Sequence, residues 1–298
     1  MTRQTRNWLI ALLVIYSVPV FVVGGLVAFL VLRPVPPLPT LPNPNGYDDL
    51  LAAAKLASTN TGGYARMTVF QLRPVVEANA DALSHARDGL DEQCAVPVEY
   101  SQGARRNKTG DYVKLRLLGQ AFAAEGRLAE LEKRPDAAAR SNADMMRLGA
   151  ATGRGGILID AMVGCAIESV GATGLQKYLD QADAKTCRDT AAALETLEDG
   201  EPSWDDVLKQ EDNWIRGTFG ARSVLIELVY RHQLKQRNGQ KAQKAYQAEQ
   251  LRERRLMIEF ASRAYELDKG HGPAGAADLV PEYLKAVPKN PVTGKNLN

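Results

Sequence analysis

The stretch LLGQAFAAEGRLAELEKRPDAAARSNADMMRLGA, residues 117–150, decides the fold class. Its small and apolar residues recur at intervals of three and four, at positions 117, 121, 124, 128 and 131 and again at 139, 143, 146 and 150. Such spacing places each set on one face of an α-helix. Between the sets, Pro135 suits the first turn of a helix, where its missing N–H costs no hydrogen bond. The stretch therefore predicts an αα-hairpin that buries facing stripes.

Helical patterns continue on both sides of this hairpin. We predict further helices from Asn45 as N-cap to Leu56, from Pro74 towards Gly89, from Ile157 to Leu179, from Ala184 to Glu198, from Trp204 to about Gln236 and from Gln240 to Leu267. The segment Cys94–Tyr100, around Pro97, is predicted to be extended. Only 6% of the residues are aromatic, and strands favour aromatic residues. The chain is therefore expected to be mainly α, with an α-helical domain over residues 46–268.

The N-terminal run WLIALLVIYSVPVFVVGGLVAFLVL, residues 8–32, has no charged side chain in 25 positions. As a helix it would span roughly 37 Å, enough for a hydrocarbon core of about 30 Å. A cleaved signal peptide is the alternative, but its apolar run would be about 7–15 residues long. We predict a transmembrane helix over 8–32 that is retained as a single-pass anchor.

Orientation follows from the basic residues next to this run. Arg3 and Arg6 precede it and Arg33 follows it, so the positive-inside rule favours a cytoplasmic N-terminus at residues 1–7 and an extracytoplasmic domain on the inner (plasma) membrane. Residues 33–45 contain six prolines, which exclude a helix and favour polyproline II. We predict a proline-rich spacer that holds the domain up to roughly 40 Å from the bilayer.

A second apolar stretch, Ile157–Leu179, could also cross a membrane. Asp160 and Glu168 favour a buried core helix instead, because a carboxylate at mid-bilayer costs about 2.5–3.5 kcal/mol on insertion scales. Beyond the N-terminal run the chain carries 35 basic and 35 acidic residues, since Arg3 and Arg6 account for two of the 37 cations. This zero net charge gives no support to nucleic acid as a partner.

Charge is nevertheless segregated along the chain. Eight acids and one lysine lie between Glu195 and Asp212, and eight basic residues and two acids lie between Arg231 and Arg255. These segments are either solvated helix faces that pair with each other or a basic helix that touches anionic lipid or a protein partner. Trp204 lies within the acidic segment and Trp214 lies two residues after it, and the two tryptophans could anchor a partner or pack in the core. The candidate interaction surface comprises Trp204, Trp214, Arg252, Arg254 and Arg255.

The sequence offers little catalytic chemistry. Cys94 and Cys187 could form one disulfide if the domain is exported, whereas Cys165 lies in an apolar run and reads as a core residue. The glycines at 153, 155 and 156 lack the rest of a phosphate-binding fingerprint and indicate a turn. No catalytic, cofactor-binding or metal-binding residue is predicted. An enzyme of another type, using Asp160, Glu168 or His271, is the minority alternative.

The C-terminus carries a recognisable pattern. It reads RAYELDKGHGP from Arg263, then LVPEYL from Leu279 and VPKNPVTG from Val287. This tail resembles the ends of type II secretion major pseudopilins, in which a helix closes on a Tyr-x-x-(Asp/Glu)-x-Gly-x-Pro turn and a later proline-rich loop packs against it. The N-terminus lacks the prepilin cleavage pattern of that family, and Asn290 and Val292 replace its usual aspartate and aromatic residue. The resemblance implies a proline-rich, non-helical C-terminal strap over 269–298.

The hairpin loosely resembles a tetratricopeptide unit, without recurrence at 34 residues. The whole chain is similar to bacterial single-pass membrane proteins that join such a helical region to this tail, and this similarity implies an architecture without implying an activity. We therefore expect a membrane-anchored, non-enzymatic helical domain that binds a protein or envelope component outside the cytoplasm. The alternative is an accessory component of a type II secretion or pilus-like apparatus.

Overall fold

The computed structural model describes Trp8, residues 16–18, 20–25, 28–29, 34–58, 61–235 and 237–298. From residue 46 onward, the described residues form ten α-helices: α1 (Gly46–Leu56), α2 (Val69–Glu77), α3 (Ala80–Leu90), α4 (Gln102–Leu131), α5 (Pro135–Gly153), α6 (Leu158–Leu175), α7 (Ala184–Asp199), α8 (Trp204–Phe219), α9 (Ser223–Lys235) and α10 (Arg237–Lys269). Short 3-10 turns lie at Tyr64–Arg66, Gln176–Tyr178, Gly220–Arg222 and Ala276–Leu279. The expectation of a mainly α protein is confirmed.

The N-terminal run is described only in part. Its described residues are helical, and their large apolar side chains are exposed, including Tyr16, Phe21 and Phe29. The remaining positions of the predicted span lie outside the described residues, so a membrane crossing at 8–32 stays a prediction. Within the described part of the chain, Leu158–Tyr178 is the one helical stretch long and apolar enough to cross a membrane. Its helix, α6, packs inside the domain and buries both Asp160 and Glu168.

The predicted hairpin forms as α4 and α5. A left-handed residue, Lys133 at φ 58°, turns the chain between them, and the N–H of Arg134 donates to the carbonyl of Ala129 at 2.8 Å. Pro135 occupies the first turn of α5, where proline is tolerated. The N-cap of α1 is Asn45, as predicted, and its side-chain oxygen accepts from the N–H of Tyr47.

Two helix boundaries differ from the prediction near Pro74. The proline lies inside α2 instead of near a helix start, and a break at Asn79 separates α2 from α3. Thr68 begins α2, because its N–H donates to Oε1 of Gln71 at 3.0 Å in a capping box. The Asn79 side chain explains the break: it donates to the carbonyl of Val75 at 2.7 Å and accepts from the N–H of Ser58 at 2.8 Å.

A third difference lies after Trp204. The single helix predicted to about Gln236 is interrupted after Phe219, where Gly220 has a φ of 53°. A left-handed residue cannot continue an α-helix, so the chain turns into the separate helix α9. The prediction also missed the first turns of α4, which begins at Gln102.

The pair α5 and α6 forms the central layer of the domain. On one side, α1, α3 and α4 pack over Met145, Leu148 and Ile167. On the other side, α7, α10 and the C-terminal strap pack over Met146 and Leu175. The apolar residues of α5 therefore contribute to two separate cores, which explains why 12 of its 19 residues are buried.

The segment before α1 is tied to the domain at two points. Asn45 exchanges two hydrogen bonds of 2.9 Å with the backbone of Ala95, and the hydroxyl of Tyr100 donates to the carbonyl of Pro37 at 3.1 Å. Residues 34–45 contain no helix or strand, and most are exposed. An extended segment agrees with the sequence, and its role as a spacer stays a prediction.

The C-terminal strap docks on α10 and α7. Leu279, Tyr283 and Leu284 are buried in the core that these helices share, as the tail pattern predicts. Polar contacts reinforce the docking, since the N–H of Lys285 donates to Glu195 at 2.6 Å and Arg254 donates to the carbonyl of Lys289 at 2.6 Å.

We predict that Leu284→Ala destabilises the domain by about 2–5 kcal/mol, because it leaves a cavity at a fully buried site. The matched control is Val292→Ala on the same strap, where the side chain is 64% exposed and the change should stay within about 0.5 kcal/mol. Chemical denaturation of both variants measures the difference. Equal stability of the two variants would show that the strap does not support the core.

Candidate binding groove

An open groove crosses the outer surface of α5. Its volume is about 830 Å³, and its walls come from α3 and α4 on one side and from α7 on the other. Arg87, Glu125 and Leu128 line the first wall, and Asp189 and Thr196 line the second. This volume lies in the upper part of the range of about 300–1,000 Å³ that is typical of ligand sites.

The groove exists because its floor is made of small residues. Ala137, Ser141 and Ala143 of α5 face Ala193 of α7 across it. Short side chains on two neighbouring helices leave space that leucine or phenylalanine would fill. Apolar carbon and hydroxyl groups alternate along the floor, which suits a ligand with both apolar and hydrogen-bonding groups.

Four arginines and three carboxylates line the groove, which leaves one excess positive charge. Arg87 donates to Asp144 at 2.8 Å and to Glu125 at 2.5 Å, and the hydroxyl of Ser141 donates to the same Glu125 at 2.6 Å. The groove carboxylates are therefore largely neutralised by the protein itself. Arg140 is exposed and forms no ion pair with any described residue. It is the cation that a ligand could engage.

A second unusual feature, the glutamate cluster, lies where α6, α10 and the end of α7 meet. It comprises Glu168, Glu198, Glu201, Glu249 and Glu253. Three arginines face these five carboxyl groups: Arg254, 3.0 Å from Glu198; Arg252, 4.0 Å from Glu249; and Arg154, whose charge acts on Glu168. The cluster therefore has more acids than cations.

Burial is the largest influence on the titration of the cluster. It raises the pKa of Glu168 and of Glu253 well above the usual value, and the neighbouring carboxylates raise both pKa values further. Burial likewise raises the pKa of Glu201 to about 7. One oxygen each of Glu201, Glu249 and Glu253 is buried without a hydrogen-bond partner among the described residues. The cluster therefore retains protons towards neutral pH.

The space beside the cluster is too small for a substrate. A cavity of about 20 Å³ is lined by Arg154, Cys165, Glu168, Glu201 and Tyr246, which is room for about one water molecule. In the described part of the chain, no three histidine, cysteine, aspartate or glutamate side chains are arranged to hold a metal ion. The cluster can store protons, whereas the groove can admit a ligand.

Both tryptophans of the candidate interaction surface are buried. Trp204 packs against Tyr246 with ring centroids 5.7 Å apart, and Trp214 is 4% exposed and donates from Nε1 to the carbonyl of Glu99 at 3.0 Å. This burial agrees with the interpretation that both tryptophans pack in the core, and a role of these residues at an interaction surface stays a prediction. The sequence shows that both residues are large and apolar, but it does not show which side of α8 packs against the core.

The three predicted surface arginines differ from one another. Arg252 donates to the carbonyl of Ser169 and to the hydroxyl of Thr173, whereas Arg254 pairs with Glu198 and donates to the backbone carbonyl of Lys289. Arg255 is exposed. The segregated charges do pair in part, as one of the two interpretations expects.

The cysteines are free thiols. Cys94 lies in the core beside α1 and Cys187 in the core beside α10, so the predicted disulfide between them is not formed in the structure. Burial raises the pKa of Cys94 and of Cys187 to about 11 and that of Cys165 to about 12, which leaves all three mostly protonated at neutral pH.

The residues of the enzymatic alternative lie in three different environments. Asp160 accepts from the hydroxyl of Tyr112 and from the N–H of Ile157, both at 2.8 Å, and so caps the start of α6. Glu168 belongs to the glutamate cluster, and His271 lies exposed against Tyr265 near the strap. None of the cavities described here gathers them.

Sequence reasoning missed the groove and most of the glutamate cluster. Glu249 and Glu253 were visible as like charges four residues apart on a helix, an unfavourable pair that signals a special environment. Arg87 and Arg140 gave no such signal, because the groove arises only when α5 meets α7.

Comparisons with known proteins return no match to a protein-family model, a curated protein or a solved structure.

We predict that Glu253→Gln makes the stability of the protein less sensitive to pH. A carboxyl group whose folded pKa is raised contributes stability below its unfolded pKa of about 4.3, and that contribution is lost as the pH rises through the folded value. The parent should therefore lose stability as the pH rises above about 4.3 and through the raised pKa values of the folded cluster. Its melting temperature should fall more between pH 5 and pH 8 than that of the variant.

Glu132→Gln is the control with the opposite sign. Hydrogen bonds from Arg73 and Arg134 lower the pKa of Glu132, so its contribution is present above about pH 4.3 and lost below it. This exposed change should leave the slope between pH 5 and pH 8 unaltered. If the melting temperature of Glu253→Gln changed with pH as steeply as that of the parent, the conclusion that burial raises the pKa of Glu253 in the glutamate cluster would be contradicted.

Proposed function

We propose that this chain is a membrane-anchored, non-enzymatic α-helical domain, and that it binds a segment of a partner protein outside the cytoplasm through the groove over α5. The observation that carries the proposal is the groove itself. It is an open space of about 830 Å³ with a floor of small residues, and it lies next to Arg140, which has no ion-pair partner among the described residues. The N-terminal run of 25 uncharged residues supports the anchor.

The chemistry of the groove favours a peptide segment that carries a carboxylate. Its lining mixes alanine, threonine and serine with charged side chains, so it offers a hydrogen-bonding surface along an elongated path. Arg140 supplies a guanidinium that can take a carboxylate in bidentate geometry. Arg87 cannot easily serve a ligand, because Glu125 and Asp144 already hold it.

The location of the groove also fits binding in preference to catalysis. The titratable groups with the most strongly raised carboxyl pKa values, Glu168 and Glu253, belong to the glutamate cluster and do not line the groove. Catalytic sites usually combine a cleft with such groups. Here the open site and the perturbed groups are separate.

Two substitutions, Arg140→Glu and Ala193→Trp, test the groove through its charge and through its volume. The first reverses the charge that a ligand carboxylate would meet, and the second fills the space above the floor. In-cell chemical cross-linking of the full chain, read by mass spectrometry, should lose the adducts of the parent by at least about tenfold in either variant, because like-charge contact or lost volume should cost at least about 1.4 kcal/mol of binding free energy.

The matched control is Arg116→Glu, an exposed arginine on α4 that does not line the groove. It should keep the adducts of the parent. Adducts that persist in all three variants would place binding elsewhere and reject the groove. Melting temperatures close to the parent value establish that the variants are folded.

The alternative is an accessory component related to a type II secretion or pilus-like apparatus. Its support is the resemblance of the tail, where Tyr265 contacts both His271 and Tyr283 and Asn290 accepts from the N–H groups of Val292 and Thr293. Co-purification with subunits of such an apparatus distinguishes the two candidates.

A further inference from the structure

An unpartnered apolar stripe runs along α9. Leu225, Leu228 and Val229 are 71%, 69% and 58% exposed. These positions are separated by three and four residues, so they share one face of the helix. The opposite face packs inward through Ile226 and Tyr230 against Trp214. A stripe of three large aliphatic side chains is an unusual surface for water and indicates a contact with something apolar.

The start of the domain lies close to this stripe. The hydroxyl of Tyr100 holds the carbonyl of Pro37, and the ring of Tyr100 packs in the same cluster as Ile226 and Tyr230 of α9. The predicted anchor ends at Leu32, five residues before Pro37. Five extended residues reach at most about 18 Å. The contact at Pro37 thus limits the distance to the bilayer more tightly than the whole proline-rich segment would.

The charges around the stripe have the sign that anionic head groups require. Residues 220–237 contain four basic residues, of which Arg231 pairs with Asp212 of α8 at 2.6 Å, and one acid, Glu227, which lies 3.8 Å from Arg216 and whose side chain is 13% exposed. Arg222 is exposed and forms no ion pair with a described residue. Apolar side chains on one face and basic residues beside them are the pattern of helices that lie in a membrane interface.

A cleft beside α9 adds another cation. It has a volume of about 460 Å³ and is lined by Arg105, Tyr112, Trp214 and Phe219, the last residue before the turn into α9. The guanidinium of Arg105 lies 4.9 Å from the centre of the Trp214 ring and forms no ion pair within the described residues. A cation beside aromatic rings at the end of an interfacial helix suits a lipid phosphate.

We propose that α9 is a second membrane contact: its apolar stripe enters the interface of an anionic bilayer and fixes the orientation of the domain above the anchor. This inference rests on the proposed anchoring of the chain by residues 8–32. The groove over α5 would then be presented at a defined orientation relative to the membrane.

The test uses the full chain reconstituted in vesicles of phosphatidylcholine alone or with 30 mol% phosphatidylglycerol, about the anionic fraction at which surface charge attracts basic segments. A nitroxide is attached at Leu228→Cys, and the native cysteines are buried. The control is Phe70→Cys on α2, where the parent side chain is 88% exposed. Collision rates with oxygen and with a water-soluble nickel complex report the depth of each label.

At position 228 in the anionic vesicles, the ratio of oxygen to nickel collisions should be severalfold higher than for a label exposed to water. Arg222→Glu should reduce this increase. At position 70 the ratio should stay aqueous in both vesicles. An aqueous ratio at position 228 in a protein that floats with the vesicles overturns the α9 contact and leaves the anchor standing.

Two further outcomes also overturn the inference. Failure of the chain to float with vesicles removes the anchor and the α9 contact together. Dipolar broadening between labels at position 228, seen equally in detergent micelles and vesicles, would show that the stripe is covered by a second copy of the chain.

Discussion

Close backbone contact between α5 and α6 is the constraint on which the rest of the domain depends. A Cβ on Gly149 would lie 2.7 Å from the carbonyl oxygen of Gly164, and a Cβ on Gly164 would lie 2.5 Å from that of Gly149. Farther along, a Cβ on Gly171 would lie 2.9 Å from the carbonyl oxygen of Asn142. Backbone atoms cannot move aside as side chains can, so glycine allows the two helices to approach this closely.

This contact has consequences on both sides of the central layer. Another surface of α5 carries small residues, and the groove forms between that surface and α7. On the other side, Gly149 makes room for Glu168, whose Cγ would lie 2.5 Å from an added Cβ. The close contact between α5 and α6 thus also involves one member of the glutamate cluster.

The periodic parts of the fold could be predicted from the sequence, because local spacing alone determines them. The hairpin at 117–150 and the cap at Asn45 both follow from patterns within about ten residues of each position. The break at Asn79 was misjudged because the Asn79 side chain is held there partly by the backbone N–H of Ser58, 21 residues away, and the end of α8 was misjudged because the single left-handed residue Gly220 sets it. The groove and the pairing of Arg87 with Asp144 span distant segments, which no local pattern reveals.

The most direct test of the central claim compares two glycines in helices. Gly164→Ala places a Cβ against rigid backbone of α5, whereas Gly110→Ala on α4 meets nothing within 4 Å. Chemical denaturation should show that Gly164→Ala destabilises the domain by about 1–3 kcal/mol, while Gly110→Ala stabilises it by up to about 1 kcal/mol through helix propensity. A stabilised Gly164→Ala variant would contradict the account, because it would mean that α5 and α6 do not need backbone contact.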